Sequence, residues 1–265
     1  MSKLDSIQNI VRVMNFHALA RIDKAKSKSV KEMSTEELLE KMIREIYYNK
    51  NLNIDKKLLT ENKNGIELNI YIGSDLSFCG DFNSSILSKL AEDNDSQKII
   101  VGQKIYSITS QPYIYALSKE EFFQDSSHIS SIIEEYLTEQ KAKSINIIYN
   151  RYYSIDDIRL EKMQVFPVNF EMKAEDDYDI DFVIENDANN ILRSILAEYL
   201  NFKVRIAEQS SWAAENVNRE RIARESMKRI DELKETEKII ENQKRSQKKL
   251  AEQIDNFERL KWRHV

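Results

Sequence analysis

The sequence predicts an α/β fold: a three-layer α/β domain inserted between N- and C-terminal helices that form a long antiparallel coiled coil. Three observations predict it. From Ala188 to Val265 there is neither glycine nor proline, and the stretch reads as helix almost throughout. Residues 4–22 carry a second helical apolar face. Between the two, β-branched runs alternate with helical stretches, the pattern of a layered α/β domain.

The first segment, 1–47, is the short arm of the coiled coil. Leu4, Ile7, Ile10, Val11, Met14, Ala18 and Ile22 recur at helical spacing. Ser34-Thr35-Glu36-Glu37 resembles a capping box and predicts a helix restart. Leu38, Leu39, Met42, Ile43 and Ile46 then continue the pattern. Residues 48–64 are polar and read as a connection.

The style changes over 65–187, where a Rossmann-like α/β domain is expected. IELNIYIGS predicts a strand ending at Gly73, and Ser85–Glu92 a helix. KIIVGQKIYSI is strand-like. Ser118 to about Lys143 reads as helix, with Phe122, Ile129, Ile132, Ile133, Tyr136 and Leu137 inward. SINIIYNRYY is another strand, and Lys162–Met172 and Asp179–Glu185 are candidates for two more.

The last segment, 188–265, is the long arm. As one helix it would measure on the order of 110 Å, too long to fold back into one core. Its apolar face is broad from Ile191 to Leu200 and thin from Val217 to Leu233. It nearly vanishes between Lys234 and Lys249, then resumes with Leu250, Ile254, Phe257 and Leu260. A thin stripe suits a two-helix coiled coil, with residues 4–22 as the antiparallel partner.

Charged residues make up 32% of the chain, more than a compact domain needs and natural for exposed helices. Residues 1–31 hold seven Lys/Arg against two Asp, and residues 203–265 sixteen basic against twelve acidic. The middle is acidic, with seventeen against thirty-one. The basic ends suit an acidic partner, whether nucleic acid, a membrane surface or acidic protein loops; solvated helix faces explain them as well. The acidic middle argues against nucleic acid. Cys79 is the only cysteine, so an intrachain disulfide and a Cys-rich metal site are excluded, which fits a cytoplasmic compartment. No run approaches the roughly 20 apolar residues of a membrane span, and the start MSKLDSIQNIV lacks a signal-peptide core.

Catalytic patterns are missing. No G-x-x-x-x-G-K-[ST] loop occurs, so no nucleotide cradle of that type is expected. Asp75 and Asp81 have no nearby His and read as turn and cap residues. Cys79, between Phe78 and Phe82, reads as a small core residue. His17, His128 and His264 are isolated, so no metal site is expected. No cofactor is expected.

Gly73-Ser74-Asp75-Leu76-Ser77-Phe78-Cys79-Gly80-Asp81-Phe82-Asn83-Ser84 resembles the S-D-R-G-L-C-G-G-F-N-S motif of the ATP synthase gamma subunit family. Leu76 stands where the family has arginine, and Ser77 and Asp81 where it has glycine. Val101-Gly102-Gln103-Lys104 is similar to its V-G-R-K, Ile148-Tyr149-Asn150-Arg151 to V-Y-N-R, and Val165-Phe166-Pro167-Val168 to L-L-P-L. Phe182 to Asp187 is similar to Y-I-Y-E-P-D, and Gln8, Ile10, Met14, Ala18, Ala20 and Ala25 fit the family's start. Each match is weak alone; their order along the chain is specific.

The resemblance implies a noncatalytic central shaft of an F-type rotary ATPase. It implies a coiled coil that penetrates a ring of alpha and beta subunits, where the chemistry takes place. It also implies an α/β domain that binds an epsilon-type subunit and a membrane rotor or other load. Acidic beta-subunit loops are expected to meet Arg12, Arg21, Lys244, Arg245, Lys248 and Lys249. Phe257, Leu260 and Trp262 would form the apolar tip in the ring's bearing. Gly73, Ser74, Asp75, Cys79, Gly80, Phe82 and Asn83 carry the fold motif. The start lies about a dozen residues late, which implies a shorter coiled-coil arm, and the family's T-D-N-A stretch is missing. These departures point to a divergent, F-type-like ATPase, of the kind linked in wall-less bacteria to motility or surface processes. The alternative is a coiled-coil adaptor that keeps the fold without turning.

Overall fold

The computed structural model describes residues 3–168 and 181–261, with side chains through Ile254. Five strands, β1 (Ile66–Ile72), β2 (Gln97–Val101), β3 (Tyr115–Leu117), β4 (Ala142–Tyr152) and β5 (Ile158–Phe166), form one sheet in the order β3-β2-β1-β4-β5. β1 to β4 are parallel and β5 runs antiparallel to β4. The α-helices are α1 (Lys3–Tyr48), α2 (Phe82–Glu92), α3 (Gln103–Tyr106), α4 (Lys119–Gln124), α5 (Ser127–Thr138) and α6 (Ala188–Lys261), and a 3-10 turn at Lys56–Leu59 buries Leu58 and Leu59 within the 48–64 connection.

The sheet is apolar on both faces, as a parallel sheet covered on both sides must be. Leu68, Ile70 and Ile72 of β1 alternate with Tyr71, and the two sets join different cores. The larger core packs Leu68, Ile70, Ile99, Val101, Ile145 and Ile147 against α1, α4, α5 and α6. The smaller sets Tyr71, Ile100 and Ile148 against Phe82, Ile86 and Leu90 of α2 and Ile105 of α3. Helices, sheet and helices give the three layers.

The chain divides into two compact units: Met1–His17 with Glu220–Val265, and Ala18–Arg219. The second unit holds the sheet. In it Glu36 pairs with Lys203 and Glu32 with Arg205, at 2.5 and 2.6 Å, so the α1 and α6 portions run antiparallel. In the first unit Gln8 meets Asp231 at 2.6 Å and Asp5 meets Lys234 at 2.5 Å, again antiparallel.

Several expected elements differ. No helix restarts at Ser34, because α1 is continuous and Thr35 Oγ1 bonds back to the Lys31 carbonyl at 3.4 Å. Ile7 and Ile10 do not lie in the helical seam; they are 48% and 60% exposed. The seam runs instead through Leu4, Gln8, Val11, Asn15, Ala18, Ile22 and Ala25, all buried or half-buried. That alternation of four and three is a coiled-coil repeat with polar members.

KIIVGQKIYSI is not one strand. Gly102 takes φ +124°, where a Cβ would stand 2.8 Å from the Gly73 carbonyl carbon, and α3 begins directly after it. The stretch expected as helix from Ser118 to Lys143 is α4, α5 and the start of β4. Ser118 caps α4 in a capping box with Glu121. Helix α2 starts at Phe82, three residues earlier than expected. The proposed strand at Asp179–Glu185 is absent over 181–185, and its first residues lie outside the described ones. Of Lys162–Met172, the portion through Phe166 is β5 and the portion from 169 lies outside.

Candidate partner interface

The loop after β1 is built around Asp75. Its carboxylate accepts backbone N–H bonds from Gln103 at 2.7 Å, from Lys119 at 2.9 Å and from Glu120 at 3.3 Å. One side chain thereby holds the first turns of α3 and α4 beside the end of β1. Asn83 braces the same loop, donating to Ser74 Oγ at 2.8 Å and accepting from the Ser74 N–H at 3.1 Å. Cys79 is buried beside Phe82, while Phe78 is 69% exposed with φ +64°. Gly80 also has positive φ, at 59°. Asp81 precedes α2 without a side-chain capping bond. The motif residues are therefore spent on shaping a strand-to-helix turn.

An ionic cluster that the sequence reading missed lies behind this loop. Lys119 is 4% exposed, and its Nζ stands 2.9 Å from Glu215 and 3.3 Å from Glu208 of α6. Arg219 also pairs with Glu215, at 2.6 Å. Burial pushes the Glu208 carboxyl up to about 7, against the pull of Lys119. Burial alone would lower Lys119, but the two carboxylates outweigh it and hold its ammonium charged. The legible signal was the Glu208/Glu215 pair, two turns apart within the buried stretch Ala207–Val217.

A second polar knot ties β1 to the turn after α2. Asp93 accepts from Tyr71 and Asn69, both at 2.7 Å. Burial would raise its pKa, but bonds from Ser96, Asn69 and Tyr71 hold the carboxyl well below the usual range. Among the described residues no group of three or more His, Cys, Asp or Glu is placed to hold a metal.

The expected contact residues are distributed as follows. Arg12 is exposed on the α1 portion of the first unit, and Arg21 is exposed on α1 in the second. Lys244, Arg245, Lys248 and Lys249 all lie on α6, where i, i+1, i+4 and i+5 spacing puts them on one side of the helix. Arg245 pairs with Glu241 at 2.8 Å, leaving its side chain 72% exposed. Every residue from Glu235 to Ile254 is exposed, including Ile239, Ile240 and Leu250. In the first unit Ile7, Ile10, Val13 and Phe16 add exposed apolar area on α1. Phe257 and Leu260 fall on α6 past the described side chains, and Trp262 lies outside the described residues.

The chain is thus an α/β layer entered by one long helix and left by another, and the two helices pair antiparallel within each unit. The sequence model of the ATP synthase family matches residues 1–255. The ATP synthase gamma chain of Malacoplasma penetrans is 23% identical, with 96% of each chain covered. That of Clostridium perfringens is 22% identical over 87% of this chain and 85% of its own. Among solved structures, a central-stalk chain of the Tetrahymena thermophila mitochondrial ATP synthase has the same fold. Its TM-score is 0.56 at 16% identity, over 82% of this chain and 99% of that one. The chain belongs to the ATP synthase gamma family. No helix among the described residues is long and apolar enough to cross a membrane.

Proposed function

We propose that this chain is the noncatalytic central rotor shaft of an F-type or F-type-like rotary ATPase. It couples ATP hydrolysis or synthesis on beta-type subunits to rotation within an alpha/beta hexamer. One observation carries the reading: the family match runs from residue 1 to 255, through both long helices and the α/β layer between them. The antiparallel pairing of α1 and α6 in each unit supports it, because a shaft needs two strands that resist bending. The solvated length of α6 from Glu235 to Ile254 also supports it. Weak exposed charge contacts, about 0–1 kcal/mol each, let a shaft leave one face of its bearing for the next.

In this reading Arg12, Arg21, Lys244, Arg245, Lys248 and Lys249 meet acidic loops of the ring. Phe257, Leu260 and Trp262 sit in its bearing. The α/β layer carries an epsilon-type subunit and a membrane rotor or another load. The complex sits in the cytoplasm, peripheral to the inner face of the cell membrane.

The test is purification of the native complex with mass determination, followed by single-molecule rotation. One copy per alpha/beta hexamer and ATP-driven turning are expected. Copurification without turning would replace the shaft with a static adaptor, and failure to copurify would end both readings.

A further inference from the structure

Helix α6 enters the larger core, which the sheet also lines, through a stripe that repeats itself. Leu192, Leu196, Leu200 and Val204 follow at four-residue intervals, and all are buried there. Shifting the helix by four residues, about 6 Å along its axis with a turn of about 40°, sets Leu196 where Leu192 was, Leu200 where Leu196 was and Val204 where Leu200 was. Apolar surface still meets apolar surface. Such a stripe drives docking strongly and selects its stopping point weakly, because the hydrophobic effect has no direction.

The repeat breaks at Glu208, which is 0% exposed. Lys119 reaches it at 3.3 Å and reaches Glu215 at 2.9 Å. Lys119 is itself fixed at its backbone by Asp75, at the end of β1. One turn of α4 further on, the Phe123 ring stands 5.4 Å from Trp212 of α6, edge to face. The Lys28 ammonium of α1 lies 4.6 Å from the centre of the same ring. Helix α4 thus touches α6 with one charged and one aromatic side chain four residues apart.

A slide of four residues either way removes both carboxylates from Lys119. It brings Val204 and Ser211 opposite the ammonium, or else Trp212 and Arg219. Each alternative buries an unpaired lysine, and the second adds a like charge. Buried ion pairs contribute little net stability, yet they penalise every arrangement that separates them.

We propose that Lys119 is a register pin: clamped between Glu208 and Glu215, it selects one axial setting of α6 against the sheet. Lys119 acts here as a positioning residue. It makes the turn carrying Asp75 the point at which the sheet grips the longer helix.

The test is pulsed spin-label distance measurement on the full chain. Labels on cysteines introduced at exposed Asn190 of α6 and at exposed Lys89 of α2 form one pair. Asn190 and exposed Lys143 of β4 form the second; Cys79 is buried and escapes labelling. The parent chain should give one narrow distance per pair. Lys119→Met should add a second population displaced by up to about 6 Å, and Lys119→Arg should restore the single one.

Should Lys119→Met not fold, Lys119→Met with Glu208→Leu and Glu215→Leu removes the buried charges together and should show the two populations. Parent-like single distances in the methionine variants would overturn the pin. So would loss of folding in the triple variant, which would make the cluster a source of stability and not of register. A complex that assembles but does not turn would sink the shaft reading and leave this measurement standing.

Discussion

Arg205 of α6 reaches Glu32 of α1, its guanidinium 2.6 Å from a carboxylate that is 5% exposed. One turn along, Lys203 meets Glu36 at 2.5 Å. Acidic side chains thus occupy buried positions of α1 because basic ones on α6 meet them there.

The pairing has a measurable asymmetry. Arg205→Ala strands Glu32 and should cost about 1–3 kcal/mol, since a buried group left unsatisfied loses its solvation without return. Replacing both, as Arg205→Leu with Glu32→Leu, should recover most of that loss. Urea unfolding of the single and double variants supplies the cycle. Equal and additive losses would show that the pair does not interact.

These same residues mark where the sequence was hard to read. The long helices were legible from their lack of glycine and proline. The seam of α1 was not, because Gln8, Asn15, Glu32 and Glu36 hold buried or half-buried positions while Ile7 and Ile10 face outward. An apolar-only template therefore placed the stripe to one side. The α/β layer was legible wherever β-branched runs were long, as in β1 and β4. It failed at β3, three residues held by β2 alone, and at α3, which depends on the backbone freedom of Gly102. The motif loop was visible as a motif, but its work was not. That Asp75 binds Lys119 and Glu120, more than forty residues on, is a tertiary fact.

Asp75 should therefore behave as a structural keystone. Asp75→Ala leaves three N–H groups on α3 and α4 without their acceptor, and charge-assisted bonds are the stronger class. A loss on the order of 2–4 kcal/mol is expected, with Asp75→Asn falling between it and the parent. Thermal unfolding checks the order of the three. An Asp75→Ala midpoint equal to the parent's would mean that water replaces the carboxylate at no cost.

Glu208 gives the chain a pH dependence of definite sign. Its carboxyl titrates at about 7 in the folded chain against an ordinary 4.5, so the folded state holds the proton more tightly. The stability it contributes is fully present below about pH 4.5 and is lost as pH rises through 7. The loss is on the order of 1–3 kcal/mol. Asp93 acts oppositely: its lowered pKa contributes stability at neutral pH that is lost in acid, below the ordinary carboxylate range. Glu208→Gln should flatten the fall between pH 4.5 and 7 and leave the acid limb unchanged. A parent whose urea midpoint does not fall across that interval would contradict the burial argument.

The basic quartet on α6 makes the functional reading quantitative. Lys244, Arg245, Lys248 and Lys249 lie on one side of a helix whose every residue there is exposed, and among the described ion pairs only Arg245 of the four takes part, with Glu241. If they meet acidic loops of a surrounding ring, each contact contributes up to about 1 kcal/mol. Four together could then strengthen association by up to several hundredfold. Replacing all four by Gln should weaken ring assembly by roughly tenfold or more and lower the ATPase rate of the complex. Salt supplies the discriminating measurement, because exposed pairs are screened within about 10 Å at 0.1 M ionic strength. Parent assembly should weaken steeply as salt rises, whereas the quartet variant should start weak and change little. Helicity should stay the same in both, since none of the four supports the buried core. A variant that assembles, hydrolyses ATP and responds to salt as the parent does would remove the charge contact and leave apolar side chains such as Ile239, Ile240 and Leu250 to make it.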